Sequence, residues 1–214
     1  NTKRIGVATA SSLYGPWKRM DQPLLEAGEE GAWDDCNTTN PAFIIHPNGE
    51  SWLYYKSWNK EDYRNESGPI RANRKYGLAI AENVLGHYKR YSGNPVVDFS
   101  PLGDNKQVED AYVYQENGIF KMLMRDMGYF DHEVGLIFTS ADGIHWGEPK
   151  IAWFGADAYI HEPPAPDHLK RYGRFERPQI LMKNGKPAYL FTAMQGGRYE
   201  TSSGFVFKIT SDYD

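Results

Sequence analysis

The strongest constraint on how this chain folds is an internal repeat. Four short segments begin with glycine and continue in apolar or β-branched residues, at intervals of roughly 60 to 70 residues. Three of them are followed by a polar, glycine-containing turn and then an aromatic residue, which is the pattern of a β-hairpin. The four segments are 6–10 (Gly-Val-Ala-Thr-Ala), 77–81 (Gly-Leu-Ala-Ile-Ala), 135–139 (Gly-Leu-Ile-Phe-Thr) and 204–208 (Gly-Phe-Val-Phe-Lys).

A second predicted hairpin precedes each of the last three glycine-led segments. In each, two apolar runs are separated by a turn that contains Asn-Gly, which is the strongest short-range signal for a hairpin. The turns are Asn48-Gly49, Asn117-Gly118 and Asn184-Gly185. The repeating unit is therefore predicted to be four antiparallel strands.

Four-stranded repeats without sustained helical periodicity predict an all-β fold, a β-propeller of antiparallel blades. We expect a single propeller domain over 1–214, with blades at 1–25 (the end of the first), 33–98, 105–154 and 174–214. So few blades do not close a ring. The expectation is that the N-terminal part of the propeller is missing here, and that an upstream segment, a partner segment or a homodimer completes it.

Composition excludes several other classes of protein. A net charge of −4 argues against nucleic-acid binding through phosphate contacts. No apolar run approaches the ~20 residues of a membrane-spanning helix. A single cysteine, Cys36, excludes an internal disulfide framework and a cysteine-rich zinc site. We therefore expect neither a nucleic-acid nor a membrane partner.

The predicted first strand of each blade begins with polar residues, and in a propeller these strand starts meet near the central axis. Asn40, Asp110 and Glu176 are predicted to occupy equivalent positions. Carboxyl groups held together suit acid/base chemistry on a glycosidic bond, where one group is protonated and another ionised. We predict Asp110 and Glu176 as catalytic residues; the alternative is that they cap backbone amides.

Further polar and aromatic residues near these strand starts are predicted to contact substrate. Charged residues at the ends of apolar strands bind sugar hydroxyls or tune a carboxylate, or else are solvated strand ends. Arginines on both sides of Glu176 favour its ionised form, which argues against a role as the acid. The predicted substrate-binding residues are Trp33, Thr39, Asn40, Lys56, Glu109, Arg125, Asp126 and Arg177.

A Pro-rich insertion at 156–173 precedes the Glu176 strand and is predicted to overhang the channel mouth. Its two histidines, His161 and His168, are candidates for an acid or for metal binding, against the alternative of surface residues without a role. We predict no cofactor, while leaving open a divalent cation at the propeller axis. The predicted partner is an oligosaccharide substrate.

The strand motifs resemble those of five-bladed propeller glycosidases. The resemblance rests on 6–10 with Tyr14-Gly15-Pro16-Trp17, on Asn40-Pro41-Ala42-Phe43, on Val108-Glu109-Asp110 with Arg125-Asp126-Met127, and on Phe175-Glu176-Arg177-Pro178. The chain is similar to glycoside hydrolase families 43, 32, 68 and 117, and most of all to family 117 and its uncharacterised relatives. This resemblance implies a five-bladed propeller and an extracellular or periplasmic location.

The resemblance also implies an activity. Family 117 includes exo-acting α-1,3-neoagarooligosaccharide hydrolases that release 3,6-anhydro-L-galactose, with a base Asp on the first blade. Asp110 and Glu176 match two later acidic positions, and the first-blade base would lie upstream of residue 1. The family's acid is a His next to a Glu; here Phe175 precedes Glu176, so that role is lost or belongs to His161 or His168.

Two functions follow from the sequence. The first is a glycoside hydrolase acting on polysaccharide-derived oligosaccharides, exo-acting and inverting. The second is a non-catalytic carbohydrate-binding propeller or inactive fragment, favoured because Asn40 stands where family 43 has an Asp.

Overall fold

The structure is a computed structural model that describes residues 3–64, 73–103, 106–159, 174–196 and 201–210. Within these ranges the chain forms thirteen β-strands in four antiparallel sheets, together with one short α-helix and two turns of 3-10 helix. The chain divides into two compact units, Asn1–Gln107 (unit 1) and Val108–Asp214 (unit 2).

Unit 1 contains a two-stranded and a four-stranded sheet. Strands β1 (Ala8–Thr9) and β2 (Lys18–Arg19) form the first. The second has the order β3 (Thr39–Ile45), β4 (Ser51–Ser57), β5 (Lys75–Ala81) and β6 (Lys89–Arg90), and helix α1 (Lys60–Arg64) follows β4. Every residue of β4 is buried because both of its faces are covered. One of its core clusters consists of Ile5, Leu25, Leu53, Tyr55, Ala79, Ala81 and Tyr88.

Unit 2 contains a four-stranded and a three-stranded sheet. The first has the order β7 (Gln107–Glu116, whose first residue belongs to unit 1), β8 (Ile119–Met127), β9 (Gly135–Ser140) and β10 (Lys150–Trp153). The second consists of β11 (Phe175–Lys183), β12 (Lys186–Gly196) and β13 (Thr201–Lys208). Their shared core consists of Tyr114, Leu123, Trp153, Ala156, Phe175, Ile180, Leu190 and Met194.

The predicted glycine-led segments are strands β1, β5, β9 and β13 of these sheets. In two of them an aromatic ring occupies the space that a side chain would take. A Cβ atom at Gly135 would lie 1.9 Å from the ring of Trp153, and one at Gly77 would lie 2.7 Å from the ring of Tyr55. Glycine therefore occupies the first position of β9 and the third position of β5 because the ring packs directly on the backbone.

The predicted Asn-Gly turns connect the first two strands of each of the three larger sheets. In both Asn117-Gly118 and Asn184-Gly185 the two residues have positive φ, as a type I′ hairpin requires. The predicted all-β fold of antiparallel propeller blades is confirmed. No helix among the described residues is long and apolar enough to cross a membrane.

Candidate active site

The first strands of the three larger sheets share a backbone irregularity at their starts. Asn40 in β3, Asp110 in β7 and Arg177 in β11 all have positive φ, at 44°, 56° and 55°. The pairing register slips at this point in β3, between Thr39 and Ala42, and in β11, between Glu176 and Gln179. Such bulges redirect side chains and are enriched beside active sites.

This irregularity corrects the predicted equivalence of Asn40, Asp110 and Glu176. The residue that corresponds to Asn40 and Asp110 is Arg177, one position further along. Glu176, which directly precedes Arg177, therefore corresponds to Glu109 in β7 and to Thr39 in β3. The prediction was wrong by one residue because an acidic side chain was matched, whereas the shared feature is the left-handed backbone.

In unit 2 the strand starts surround a buried arginine. Arg125, near the end of β8, is only 3% exposed. Its Nη1 lies 3.3 Å from Oε2 of Glu109 and 3.0 Å from Oε1 of Glu176. Within the part of the chain that the structure describes, its Nε and Nη2 have no hydrogen-bond partner. One nitrogen of this side chain therefore joins the start of β7 to the start of β11.

A second arginine holds the same oxygen of Glu176. Arg174 donates to Oε1 from Nε at 2.8 Å and contacts it from Nη2 at 2.7 Å. Together with Arg125, three nitrogen atoms converge on Oε1 of Glu176, and Oε2 lies outside these contacts. Charge-assisted contacts of this kind are formed with an ionised carboxylate.

The charges around Arg125 act on its protonation. Burial lowers the pKa of Arg125 to about 10, and Arg174 acts in the same direction. Glu176, Glu109 and Asp110 oppose this effect. Asp110 is itself only 6% exposed. Three acidic side chains and two arginines thus form one electrostatic cluster in unit 2.

Asp126, the neighbour of Arg125, is occupied by backbone groups. Its carboxylate accepts hydrogen bonds from the five backbone N–H groups of residues 128–132, at 2.7 to 3.4 Å. The side chain is fully buried. The structure therefore gives Asp126 the role of organising this loop, whereas the sequence predicted substrate binding.

The predicted residues of unit 1 lie in a different setting. Lys56 in β4 is buried and pairs in register with Thr39. The Thr39 hydroxyl donates to the side-chain oxygen of Asn40 at 2.9 Å. Trp33 is partly buried and stacks on Tyr55, with ring centroids 5.8 Å apart, so it packs on the core of unit 1.

Two cations in unit 1 lie against one indole ring. Lys56 Nζ is 5.7 Å and Arg74 Cζ is 6.0 Å from the centroid of the Trp58 ring. Arg74 also donates from Nη1 to Oε1 of Gln107 at 3.0 Å. Trp58 is itself only 7% exposed, so in this structure it supports the cations and offers little surface for stacking a sugar.

Other predicted residues are placed differently or lie outside the description. Arg177 is exposed. His161 and His168 lie outside the described residues. Among the residues that are described, no three His, Cys, Asp or Glu side chains are grouped to hold a metal ion. Unit 1 has an open cavity of about 620 Å³, which Glu50, Glu82, His87 and Lys89 help to line, and no predicted site residue borders it.

Arg174 is the residue of the cluster that the predicted site omitted. Arg174 directly precedes β11, which begins at Phe175, and its side chain contacts Glu176 in the folded structure. Arg177, which the sequence did predict, is the residue next to Glu176 on the bulge. Alternation within the strand does not extend to Arg174, so it does not distinguish the two arginines.

Solved structures share this fold, although neither a protein-family model nor a curated protein sequence matches the chain. Zg3597, a family 117 glycoside hydrolase of the marine bacterium Zobellia galactanivorans, is 18% identical with a TM-score of 0.58. The match covers 94% of this chain and 50% of that one. The chain therefore spans half the length of Zg3597.

Two further structures extend the likeness to other glycoside hydrolases. A β-fructofuranosidase from Schwanniomyces occidentalis is 18% identical with a TM-score of 0.64, and the match covers 97% of this chain and 37% of that one. A thermostable family-43 glycoside hydrolase is 12% identical with a TM-score of 0.59, covering 98% and 64%. The chain has the β-propeller fold of these glycoside hydrolases.

Proposed function

We propose that this chain carries part of the active site of a glycoside hydrolase of the propeller type. The observation that supports the proposal most directly is the acidic cluster of unit 2. Glu109, Asp110 and Glu176 come from the starts of two first strands and surround the buried Arg125. Glycosidic bond cleavage uses a pair of carboxyl groups held at short range.

The contacts of Glu176 suggest how the roles divide. With three nitrogen atoms on Oε1, this carboxylate works in its ionised form, as a base or as a group that stabilises positive charge at the sugar. The proton for the leaving oxygen then comes from another group. Asp110, His161 and His168 are the proposed donors.

The finer proposal follows the resemblance to family 117. It is an exo-acting, inverting hydrolase of neoagarooligosaccharides, located in the periplasm or outside the cell, with a first-blade base supplied by a segment that precedes residue 1. A homodimer or a partner segment would complete the propeller. The likeness to Zg3597 supports this proposal.

Hydrolysis of neoagaro-, arabino- and xylo-oligosaccharides tests the function. We expect turnover of at least one class, and a loss of about 100- to 10,000-fold in kcat for Glu176→Gln. Glu116→Gln, which alters an ion pair with Lys121 in the same unit, is the matched control and keeps wild-type kcat. Turnover that survives Glu176→Gln would exclude the proposed site.

A second candidate function is carbohydrate binding without catalysis. It is favoured by the ion pairs that already engage Glu109 and Glu176, and by Asn40 at a predicted acidic position. Binding of an oligosaccharide by calorimetry, with no products after long incubation, would support this function and overturn the first.

A further inference from the structure

We propose that Arg125 is a positioning residue that holds Glu109 and Glu176 as the working pair of carboxylates. This inference rests on the proposed function and deepens it. It replaces the pair that the sequence favoured, Asp110 with Glu176, and it gives Glu109 a catalytic role in place of simple substrate binding.

One nitrogen atom limits the distance between the two carboxylates. Because Nη1 of Arg125 lies 3.3 Å from Oε2 of Glu109 and 3.0 Å from Oε1 of Glu176, these two oxygens are at most 6.3 Å apart, the sum of the two distances. Carboxyl pairs are about 5–5.5 Å apart in retaining and about 6.5–9.5 Å apart in inverting glycosidases. The bound is compatible with the retaining separation and lies below the inverting one, so this pair departs from the inverting outcome that the resemblance to family 117 suggests.

The arginine and the two carboxylates differ in how much of each side chain reaches solvent. The side chain of Arg125 is 4% exposed, whereas those of Glu109 and Glu176 are 17% and 21% exposed. The cation is shielded and the two carboxylates keep access to solvent. Arg125 therefore acts on a substrate through the carboxylates and does not touch it.

The two arginines differ in how they use their donors. Arg174 directs both Nε and Nη2 at Glu176, while the same two atoms of Arg125 meet no partner among the described residues. A buried guanidinium with unsatisfied N–H groups is costly, so this arrangement is a poor way to stabilise a fold. Fixing the geometry of two carboxylates is a role that needs only Nη1.

The test compares Arg125→Met and Arg125→Lys on whichever oligosaccharide the wild type hydrolyses. We expect Arg125→Met to lower kcat about 100-fold with little change in KM, and to alter the pH–rate profile. Added guanidinium ion restores part of the activity of Arg125→Met. Arg125→Lys is intermediate, because an ammonium group keeps the charge without the planar fork.

Arg90→Met is the matched control, since Arg90 forms an ion pair with the buried Asp34 in unit 1. It lowers the urea midpoint but keeps wild-type kcat in the folded protein. If Arg125→Met lowers activity only as far as it lowers the folded fraction, without rescue, then its role is structural and the proposal is overturned.

The pairing itself is tested by Glu109→Gln against Asp110→Asn. We expect Glu109→Gln to lose at least about 100-fold in kcat. A silent Glu109→Gln beside an inactive Asp110→Asn would overturn the proposed pair while leaving the glycosidase function intact. A wild-type protein without turnover on any substrate would overturn both.

Discussion

Each unit of the molecule buries an arginine–carboxylate network, and the two networks are built differently. In unit 1, Asp34 is 2% exposed, and its Oδ2 accepts hydrogen bonds from the Tyr55 hydroxyl and from Nε of Arg90, each at 2.8 Å. Arg90 also donates from Nη2 to the backbone oxygen of Glu26 at 2.5 Å. The Asp34 carboxylate is therefore shielded from solvent, and both Arg90 and Tyr55 form further hydrogen bonds.

In unit 2 the arginine, Arg125, is buried, whereas the carboxylates of Glu109 and Glu176 reach solvent. Among the described residues, Nε and Nη2 of Arg125 have no hydrogen-bond partner, while Glu109 and Glu176 retain exposed surface. The network of Asp34 satisfies its polar groups and stabilises the fold, although Arg90 also helps to line the cavity of unit 1. Buried polar groups without partners cost stability, and such costs are accepted at functional sites. The comparison therefore favours unit 2 as the place of the proposed chemistry.

The largest expected effect on stability follows from removing the buried carboxylate of Asp34. Asp34→Ala leaves the buried Tyr55 hydroxyl without its acceptor and removes the carboxylate from Arg90, whose side chain is 33% exposed. Loss of these charge-assisted hydrogen bonds costs about 2–3 kcal/mol in the free energy of unfolding. Glu109→Ala is expected to cost about 1 kcal/mol, because Arg125 keeps Glu176 as its partner. Urea unfolding of both variants measures the contrast, and equal losses would remove the distinction between the two networks.

The second prediction uses alkaline pH to probe the network of Asp34. Burial, and next the charge of Asp34, raise the pKa of Tyr55 above its ordinary value of 10. Its contribution to stability is therefore complete below pH ~10 and is lost as the pH rises beyond that value. We expect Tyr55→Phe to be less stable at pH 8, yet to lose less stability than the wild type between pH 8 and pH 11.

The measurement is the urea midpoint of both proteins at the two pH values. Burial also raises the pKa of Tyr114 to about 12, but this residue is present in both proteins and its effect cancels. Equal losses of stability in the wild type and in Tyr55→Phe would show that ionisation of Tyr55 does not destabilise the fold.

The strands of this molecule were accessible to sequence reasoning because they depend on local signals. Asn117-Gly118 and Asn184-Gly185 each require two positive φ angles in succession, which few other dipeptides adopt. The glycine-led repeat reflects packing contacts such as that between Gly135 and Trp153. These signals recur, so each occurrence supports the others.

The site was less accessible because it depends on a bulge and on contacts distant in sequence. A bulge adds one residue to a strand, so counting between repeats placed Glu176 where Arg177 lies. The five backbone contacts of Asp126 depend on the path of the following loop, which its sequence does not specify. Arg174 precedes β11, so strand alternation does not assign it either.

The smallest expected effect tests the backbone strain beside the network of Arg125. Arg177 has a φ of 55°, which costs roughly 1 kcal/mol for a residue of this kind, whereas Asn occupies the equivalent position in β3 and tolerates that conformation. Arg177→Asn should therefore raise the free energy of unfolding by about 0.5–1 kcal/mol, and Arg177→Ala should give no gain. Urea unfolding separates these outcomes. A gain in both variants would mean that the exposed side chain, and not the bulge, is the source of the cost, whereas a gain in Arg177→Asn with weaker binding of oligosaccharide would show that strain is retained at the site for the sake of the arginine.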